Sequence, residues 1–275
     1  MTGRVQDKVA MVTGGAGGVG QATVRLLLAE GARVMFTDVN EGDGQRLQAE
    51  WAAEFGVGGT GSAVGVSAAS AAPADRVRFC RQDVASADDW TRVMTELEQA
   101  WGAPDIVINN AGILIAGDIE NGSVEDFRRV MQVNAESVFL GTQAAVKAMK
   151  ARGGTIVNMA SVSSWMPIDG YAAYGASKAA VGAITRSAAL HCRKQKLRIR
   201  VNSLHPDGIW TPMTQSQAPG VPAKFMLFDP VKNPAGRACL PEQIASVLLF
   251  LASDESSAIN GAEIRADGAI LGVGL

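Results

Sequence analysis

The sequence predicts a doubly wound α/β domain, a parallel β-sheet with helices on both faces, and three observations carry that expectation. Short β-branched runs alternate with longer segments of helical period. This is the rhythm of βαβ units, whose parallel strands need right-handed crossovers that put helices on both sides of the sheet. Polar and glycine-rich stops fall where successive strands end, at TGGAGGVG, QDV and NNAG, the edge at which open parallel sheets take ligands. A chain of 275 residues, 47% hydrophobic and 19% charged, is enough for one large domain with a sizeable core.

KVAMVTG (8–14) is the first strand, and the helix QATVRLLLAEGA behind it ends at Gly31, since glycine takes the left-handed backbone that closes a helix. RVMFTD (33–38) is the second strand, followed by a helix. Residues 56–75, rich in glycine, alanine and serine, break the rhythm and offer no packed apolar face. A flexible insertion without catalytic role is expected there. The strand VRFCRQD (77–83) follows, then a helix, the strand DIVINNAG (105–112) and the helical segment EDFRRVMQVNAESVFLGTQAAVKAMK (125–150). GTIVNMAS (154–161) is a strand, a helix begins near Tyr174, and IRVNSLHP (199–206) is the next strand. Residues 209–240 are irregular and hold Met213, Phe225, Met226, Leu227 and Phe228. They read as a substrate loop that expels water, or as a hydrophobic patch at a subunit contact. PEQIASVLLFLAS has Pro241 at its first helical position, where no N–H is needed, and AEIRAD closes the sheet. No internal repeat shows, and residues 1–275 read as a single domain.

The formal net charge is −2 with scattered basic residues, which excludes the electrostatic footprint of a nucleic-acid or membrane-surface binder and leaves a small neutral or apolar partner. No secretory signal core and no run of about 18 apolar residues occurs, so a cytoplasmic location is expected. Cys80, Cys192 and Cys239 are isolated, without the spacing of a disulfide framework or a zinc site, and no metal is expected.

TGGAGGVG carries the spacing T-G-x-x-x-G-x-G in Thr13, Gly14, Gly18 and Gly20. A helix start stripped of side chains lets backbone N–H groups and the positive dipole end approach a pyrophosphate. Asp38 ends the second strand about 20 residues on, the place of an acid that holds an adenosine ribose. A carboxylate there accepts hydrogen bonds from ribose hydroxyls but repels a 2′-phosphate, and neither the loop nor DVNEG has a cation to compensate. NAD is the expected cofactor; an ordinary strand-end turn is the other reading of Asp38. Asp83 and Val84, and Asn109 to Gly112, stop later strands along the same crevice.

Both tyrosines of the chain lie in YAAYGASK. Tyr174 and Lys178 are four apart and share a helix face, whereas Tyr171 has no such partner and reads as a wall of the cleft. A phenol of pKa about 10 must drop by two to three units to act as a base near neutrality, and a cation about 4 Å away at an effective dielectric near 20 supplies on the order of 4 kcal/mol. One lysine is therefore expected to be about enough. Ser161, at the end of its strand, is favoured over Ser163 and Ser164 to hold a carbinol or carbonyl oxygen. Asn134 falls on an apparent apolar stripe with Phe127, Met131, Val138 and Gly141, either as part of a water-mediated proton relay from Lys178 or as a satisfied core amide.

Together, TGGAGGVG, NNAG, Asn134, Ser161 and YGASK resemble the short-chain dehydrogenase/reductase family over essentially the whole chain. The resemblance implies a Rossmann-like sheet of seven strands. It implies Tyr174 as acid/base, Lys178 lowering its pKa and binding the nicotinamide ribose, Ser161 orienting substrate and Asn134 in the relay. It also implies a cofactor site made of Gly14, Gly17, Gly18, Val19, Gly20, Asp38, Asp83, Val84, Asn110, Ala111, Gly112, Tyr174, Lys178, Pro206, Ile209 and Thr211. A homotetramer built on the helices near 125–150 and 174–194 is the usual assembly. Within the family, NMASVSSW, RVNSLHPDGIWTPM and FLASDESS resemble bacterial hydroxysteroid dehydrogenases of the 3β/17β type. Two departures stand out: Asp207 follows Pro206 where the family usually has glycine, and the 56–75 insertion is long.

The reading is an NAD-dependent dehydrogenase of a secondary alcohol, a hydroxysteroid or a similar apolar cyclic alcohol. The alternatives are a dehydrogenase of smaller alicyclic or aliphatic alcohols and a catalytically silent NAD-binding module. Ketoreduction on an acyl carrier protein fits Asp38 poorly. A hydrolase on Ser161, His205 and Asp207 lacks the G-x-S-x-G elbow, and with two histidines in the chain a zinc-dependent alcohol dehydrogenase is poorly supported.

Overall fold

The computed structural model describes residues 3–55, 76–166, 168–216 and 220–271. The 56–75 insertion lies outside them. In chain order the strands are β1 (Val9–Thr13), β2 (Arg33–Asp38), β3 (Val77–Arg81), β4 (Ile106–Asn109), β5 (Gly154–Met159), β6 (Ile199–Pro206), β7 (Gly208–Ile209), β8 (Ala238–Cys239) and β9 (Glu263–Ala266). Seven of them make one sheet in the order β3-β2-β1-β4-β5-β6-β9, parallel throughout. These are the seven strands the sequence predicts. The order reverses between β1 and β4, which opens a crevice at the carboxyl edge.

The helices are α1 (Gly18–Ala29), α2 (Glu41–Phe55), α3 (Ala87–Trp101), α4 (Val124–Met131), α5 (Ser137–Met149), α6 (Ala172–Lys194), α7 (Pro212–Gln215), α8 (Ala223–Met226) and α9 (Pro241–Ala252). Alternate strand residues point to opposite faces, so each strand feeds two cores. Ala10, Val12, Val34 and Phe36 pack with Leu27 of α1, Trp51 of α2 and Leu248 of α9. Val9, Met11 and Met35 pack with Leu97 of α3, Met149 of α5 and Cys192 of α6. Phe36 is fully buried and edge-on to Trp51 at 4.9 Å, so truncating it to alanine costs about 3–5 kcal/mol. Gly31 has φ +95° just past α1, and Pro241 is the first residue of α9.

Two features depart from the sequence reading. The 125–150 segment is not one regular helix: a π-helical turn, Gln132–Glu136, separates α4 from α5. Such a turn holds more residues than an α-turn and rotates everything upstream of it. Phe127 is consequently 45% exposed and off the stripe that contains Asn134 and Val138, while Val130 and Val133 are buried in its place. The irregular 209–240 segment is also rooted at both ends, because β7 and β8 pair as a small parallel ribbon with Gly208 opposite Ala238 and Ile209 opposite Cys239. α7 and α8 lie between them.

Candidate active site

The carboxyl ends of β1 to β6 surround a cavity of about 710 Å³. Its walls include Gly14, Gly17, Gly18, Val19 and Gly20, then Asp38, Asp83, Val84, Asn110, Ala111 and Gly112, then Ser161, Tyr174 and Lys178, and finally Pro206, Ile209 and Thr211. Every residue expected at a cofactor thus lines one space. Asn134 stands just behind it.

The glycine loop fits a dinucleotide phosphate by what it lacks. Gly14 has φ +65°, and a Cβ there would lie 2.9 Å from the Ala111 Cα. A Cβ at Gly18 would lie 2.8 Å from the Thr211 methyl, and one at Gly20 would collide with the Gly14 carbonyl. Gly17 caps α1 without a side chain, so the first-turn N–H groups, which have no intrahelical partner, border the cavity. Asn110 ties this loop down from β4: its Nδ2 donates to the Thr13 and Gly14 carbonyls at 2.9 and 3.2 Å, and its N–H and that of Ala111 donate to Thr13 Oγ1. Asp38 accepts from Ala16 N and Asn40 N, both at 3.1 Å. It therefore holds the loop as a strand-end residue would, and its remaining lone pairs are available to ribose hydroxyls.

Lys178 and Tyr174 share a face of α6, with Nζ 5.6 Å from the phenol ring centre. Lys178 is buried and donates to the Met159 carbonyl at 2.9 Å. Ser161, two residues past β5, directs its hydroxyl to the Pro206 carbonyl at 3.4 Å and acts on the Tyr174 phenol as a hydrogen-bonding neighbour. It also caps the short turn Val162–Ser164, accepting from Ser163 N at 3.2 Å. Of its two rivals, Ser163 is buried, and Ser164 turns away to donate to the Ser161 carbonyl at 2.7 Å. His205 meets that same carbonyl and not the Ser161 hydroxyl, so no serine–histidine nucleophile forms.

The electrostatics differ from the simple pairwise expectation. Burial pushes Lys178 down to about 8. Among the protein's own groups burial also raises the Tyr174 phenol above its ordinary value, and the Ser161 hydrogen bond works against that rise. Tyr174 keeps partial exposure on the cavity, yet desolvation is the larger effect. One lysine therefore does not by itself produce the acidic phenol the sequence argument required: the low dielectric that would strengthen its pull also penalises both charged forms.

Asn134 sits in the π-helical turn, fully buried. Its Oδ1 accepts from Ile113 N at 2.8 Å, and its Nδ2 donates to the Ile113 carbonyl at 2.9 Å and to Ser177 Oγ at 3.2 Å. The satisfied-amide reading thus describes most of its bonding. Gly112 keeps a gap beside it, for a Cβ there would lie 3.3 Å from Asn134 Oδ1 and 3.5 Å from Lys178 Nζ. Sequence reasoning did not find Ser177, the Met159 carbonyl or Arg129, which borders the cavity from α4. Ser177 and Met159 fall inside YGASK and NMASVSSW at places whose chemistry the spacing leaves open, and Arg129 belongs to no short motif. Of the apolar residues in the 209–240 loop, Met213 borders the cavity, whereas Phe225 is exposed. Tyr171 does not border it and instead bridges Gly117.

Among the described residues no helix is long and apolar enough to cross a membrane, and no group of His, Cys, Asp and Glu could hold a metal ion.

A family profile described as enoyl-(acyl carrier protein) reductase matches residues 60–270, and one described as short chain dehydrogenase matches residues 8–69. The chain is 54% identical to the 3-beta-hydroxysteroid dehydrogenase of Comamonas testosteroni over the whole of both chains. It is 36% identical to the trans-4-hydroxycyclohexanecarboxylate dehydrogenase of Sinomonas cyclohexanicum, over 96% of this chain and 93% of that one. To the NADP-dependent (R)-specific alcohol dehydrogenase of Lentilactobacillus kefiri it is 34% identical over 98% of each. With one profile over most of its length and a relative at 54% identity from end to end, the chain belongs to the short-chain dehydrogenase family and is an oxidoreductase acting on hydroxyl groups.

Proposed function

We propose that the protein oxidises a secondary alcohol to a ketone, or reverses that reaction, on a hydroxysteroid of the 3β/17β kind with NAD as cofactor. The observation that carries the reading is the meeting of Ser161, Tyr174 and Lys178 with the glycine loop and Asp38 on one cavity. The steroid substrate is supported by the end-to-end similarity to the Comamonas testosteroni enzyme.

A nicotinamide cofactor held by the glycine loop and Asp38 would supply the acceptor for the carbinol hydride and, when oxidised, a positive charge in the site. Ser161 holds the substrate oxygen by the hydroxyl that otherwise bonds Tyr174. Tyr174 takes the hydroxyl proton onto its oxygen as the C–H bond gives up its electron pair, and returns the proton through Lys178. With its pKa lowered to about 8, Lys178 is mostly charged at neutrality yet gives up its proton far more readily than a free lysine, which suits it to pass a proton on. The gap at Gly112 between Lys178 and Asn134 suits a water that carries the proton onward. Met213 of α7 borders the cavity while 43% exposed, placed to cover a bound substrate.

Asp38 favours NAD over NADP, since a 2′-phosphate beside it would meet a carboxylate; the cations bordering the cavity, Arg129 and Lys178, lie on α4 and α6 and not at the end of β2. Exposed Phe127, Phe139 and Leu190 on α4, α5 and α6 fit an apolar subunit contact in a homotetramer. Three free cysteines suit the reducing cytoplasm.

The test follows NADH absorbance with NAD or NADP against 3β- and 17β-hydroxysteroids and against cyclic and aliphatic secondary alcohols. Turnover of hydroxysteroids with NAD is expected. Turnover of small alicyclic alcohols only would transfer the assignment to that class, preference for NADP would overturn the role of Asp38, and unchanged turnover in Tyr174→Phe would remove the mechanism.

A further inference from the structure

His205 is a buried titratable group for which the reaction as drawn has no use. It lies on β6 with no exposed surface, and every polar atom of its ring has a partner. Nδ1 is 3.1 Å from the Ser161 carbonyl and 3.3 Å from Ser164 Oγ, while Nε2 is 2.8 Å from Ser203 Oγ. A carbonyl can only accept, so Nδ1 carries the hydrogen. Ser164 Oγ donates to the same carbonyl at 2.7 Å. With the Ser164 N–H, which donates to it at 3.1 Å, three donors grip the oxygen of the peptide unit that follows Ser161, and His205 is the one that comes from outside the turn. Trp165, at the end of the same turn, stacks on the imidazole with ring centres 4.3 Å apart and planes 22° from parallel.

Beyond Nε2 lies Glu263 of β9, with Oε2 at 3.6 Å, and Arg186 of α6 pairs with that carboxylate. The arginine offsets the charge that would otherwise draw a second proton onto the ring. Burial likewise disfavours the imidazolium, taking His205 down to about 4.

We propose that His205 is a positioning residue for Ser161: as a neutral imidazole anchored on β6, it fixes the Ser161 carbonyl and the turn after it, and so aims the Ser161 hydroxyl at the substrate oxygen. This rests on the reading of Ser161 as the group that holds that oxygen. Ser161 lies two residues past β5 with φ −167°, and the last bond to the neighbouring strand is made by Ala160 N to the Leu204 carbonyl, so sheet pairing does not hold Ser161 itself. The grip on its carbonyl, to which His205 contributes from β6, supplies that restraint. Misplacing a reacting group by about 1 Å costs on the order of 100-fold in rate, which sets the scale of the effect.

Two substitutions separate the arms of the ring. Asparagine puts its amide nitrogen near the place of Nδ1 and keeps a donor for Ser161. Glutamine puts its amide near Nε2, keeping Ser203 and giving up Ser161. His205→Asn should hold kcat/KM for the alcohol within about 3-fold, and His205→Gln should lower it roughly 10- to 100-fold, mostly in kcat. The Kd of NADH, read by fluorescence, should stay within about 2-fold in both, because His205 does not border the cavity. In a Ser161→Ala background the loss from His205→Gln should shrink below about 3-fold, the non-additivity expected of residues acting through one another. Equal losses from asparagine and glutamine, or a glutamine loss of the same size in both backgrounds, would reduce His205 to packing and overturn the proposal. Should His205→Gln fail to fold, Ser164→Ala removes the hydroxyl donor, leaving the backbone one, from a half-buried site. Its loss must also vanish in the Ser161→Ala background, or the proposal falls. Unchanged turnover in Ser161→Ala alone would instead sink the reading of Ser161.

Discussion

Lys178 is buried with its ammonium on a single carbonyl, and its pKa of about 8 gives that arrangement a measurable cost. The folded value lies below the unfolded value of 10.5, so between pH 8 and 10.5 the unfolded chain holds the extra proton and stability rises with pH. Below pH 8 the penalty is complete. At 1.36 kcal/mol per pH unit, carrying the charge at pH 7 costs about 3 kcal/mol, and at pH 10 about 1 kcal/mol is left. Lys178→Met removes that penalty and leaves the Met159 carbonyl without its donor, a loss of about 1 kcal/mol. The variant, inactive in turnover, should therefore be more stable than the wild type by about 2 kcal/mol at pH 7 and nearly equal to it at pH 10. For a domain of this size about 2 kcal/mol corresponds to at least ~4 °C in Tm. Thermal melts without cofactor, at equal scan rates and at both pH values, read it directly. A variant that melts at or below the wild type at pH 7, or whose advantage grows toward pH 10, would refute the argument that function holds a charge here against the preference of the fold.

Three further outcomes follow from particular contacts. Gly112→Ala should bind NADH with little change yet lower turnover roughly 10-fold, because the new methyl enters the gap beside Asn134 Oδ1 and Lys178 Nζ; stopped-flow proton release checks it. Arg237→Met breaks the two-point pair to Asp207, at 2.8 and 2.9 Å, at the root of the 209–240 loop. Since Arg237 is about half exposed, global stability should fall by less than about 1 kcal/mol, while limited proteolysis within α7 and α8 accelerates several-fold. His205 has a folded pKa near 4, below its unfolded 6.5, so the unfolded chain takes up the extra proton as pH falls through that window. The wild type should lose roughly 3 kcal/mol between pH 6.5 and 4 from this group, a slope that urea titrations should find flattened in His205→Asn.

The fold and the membership of the site were legible because both are written in short-range patterns. A β-branched run of five residues states a strand, and a tyrosine four before a lysine on a helix states a shared face. Asp207 was also visible as a departure, but its purpose became clear only when β7 and β8 brought Arg237 across to it. The π-helical turn at Gln132–Glu136 has no signature of its own; it follows from satisfying the Asn134 amide against Ile113 and Ser177. Reading Phe127 and Asn134 on one stripe assumed a constant period where the tertiary contacts had changed it.

The pKa argument went astray for a related reason. Spacing put the lysine and the phenol on one helix face, but the sign of a pKa shift is a balance between attraction and desolvation, and desolvation depends on everything packed around the pair. The same protein matter that excludes water from Tyr174 raises its phenol and lowers its lysine. Their values move apart, Lys178 from 10.5 down to about 8 and Tyr174 upward from 10, so among the protein's own groups the amine gives up its proton more readily than the phenol. A positive charge brought into the cavity then acts on a phenol that burial alone keeps protonated, and in a low dielectric it acts more strongly than it would in water. What looks like a failure of the lysine to activate the tyrosine is thus the condition under which a bound cofactor can decide when that tyrosine becomes a base.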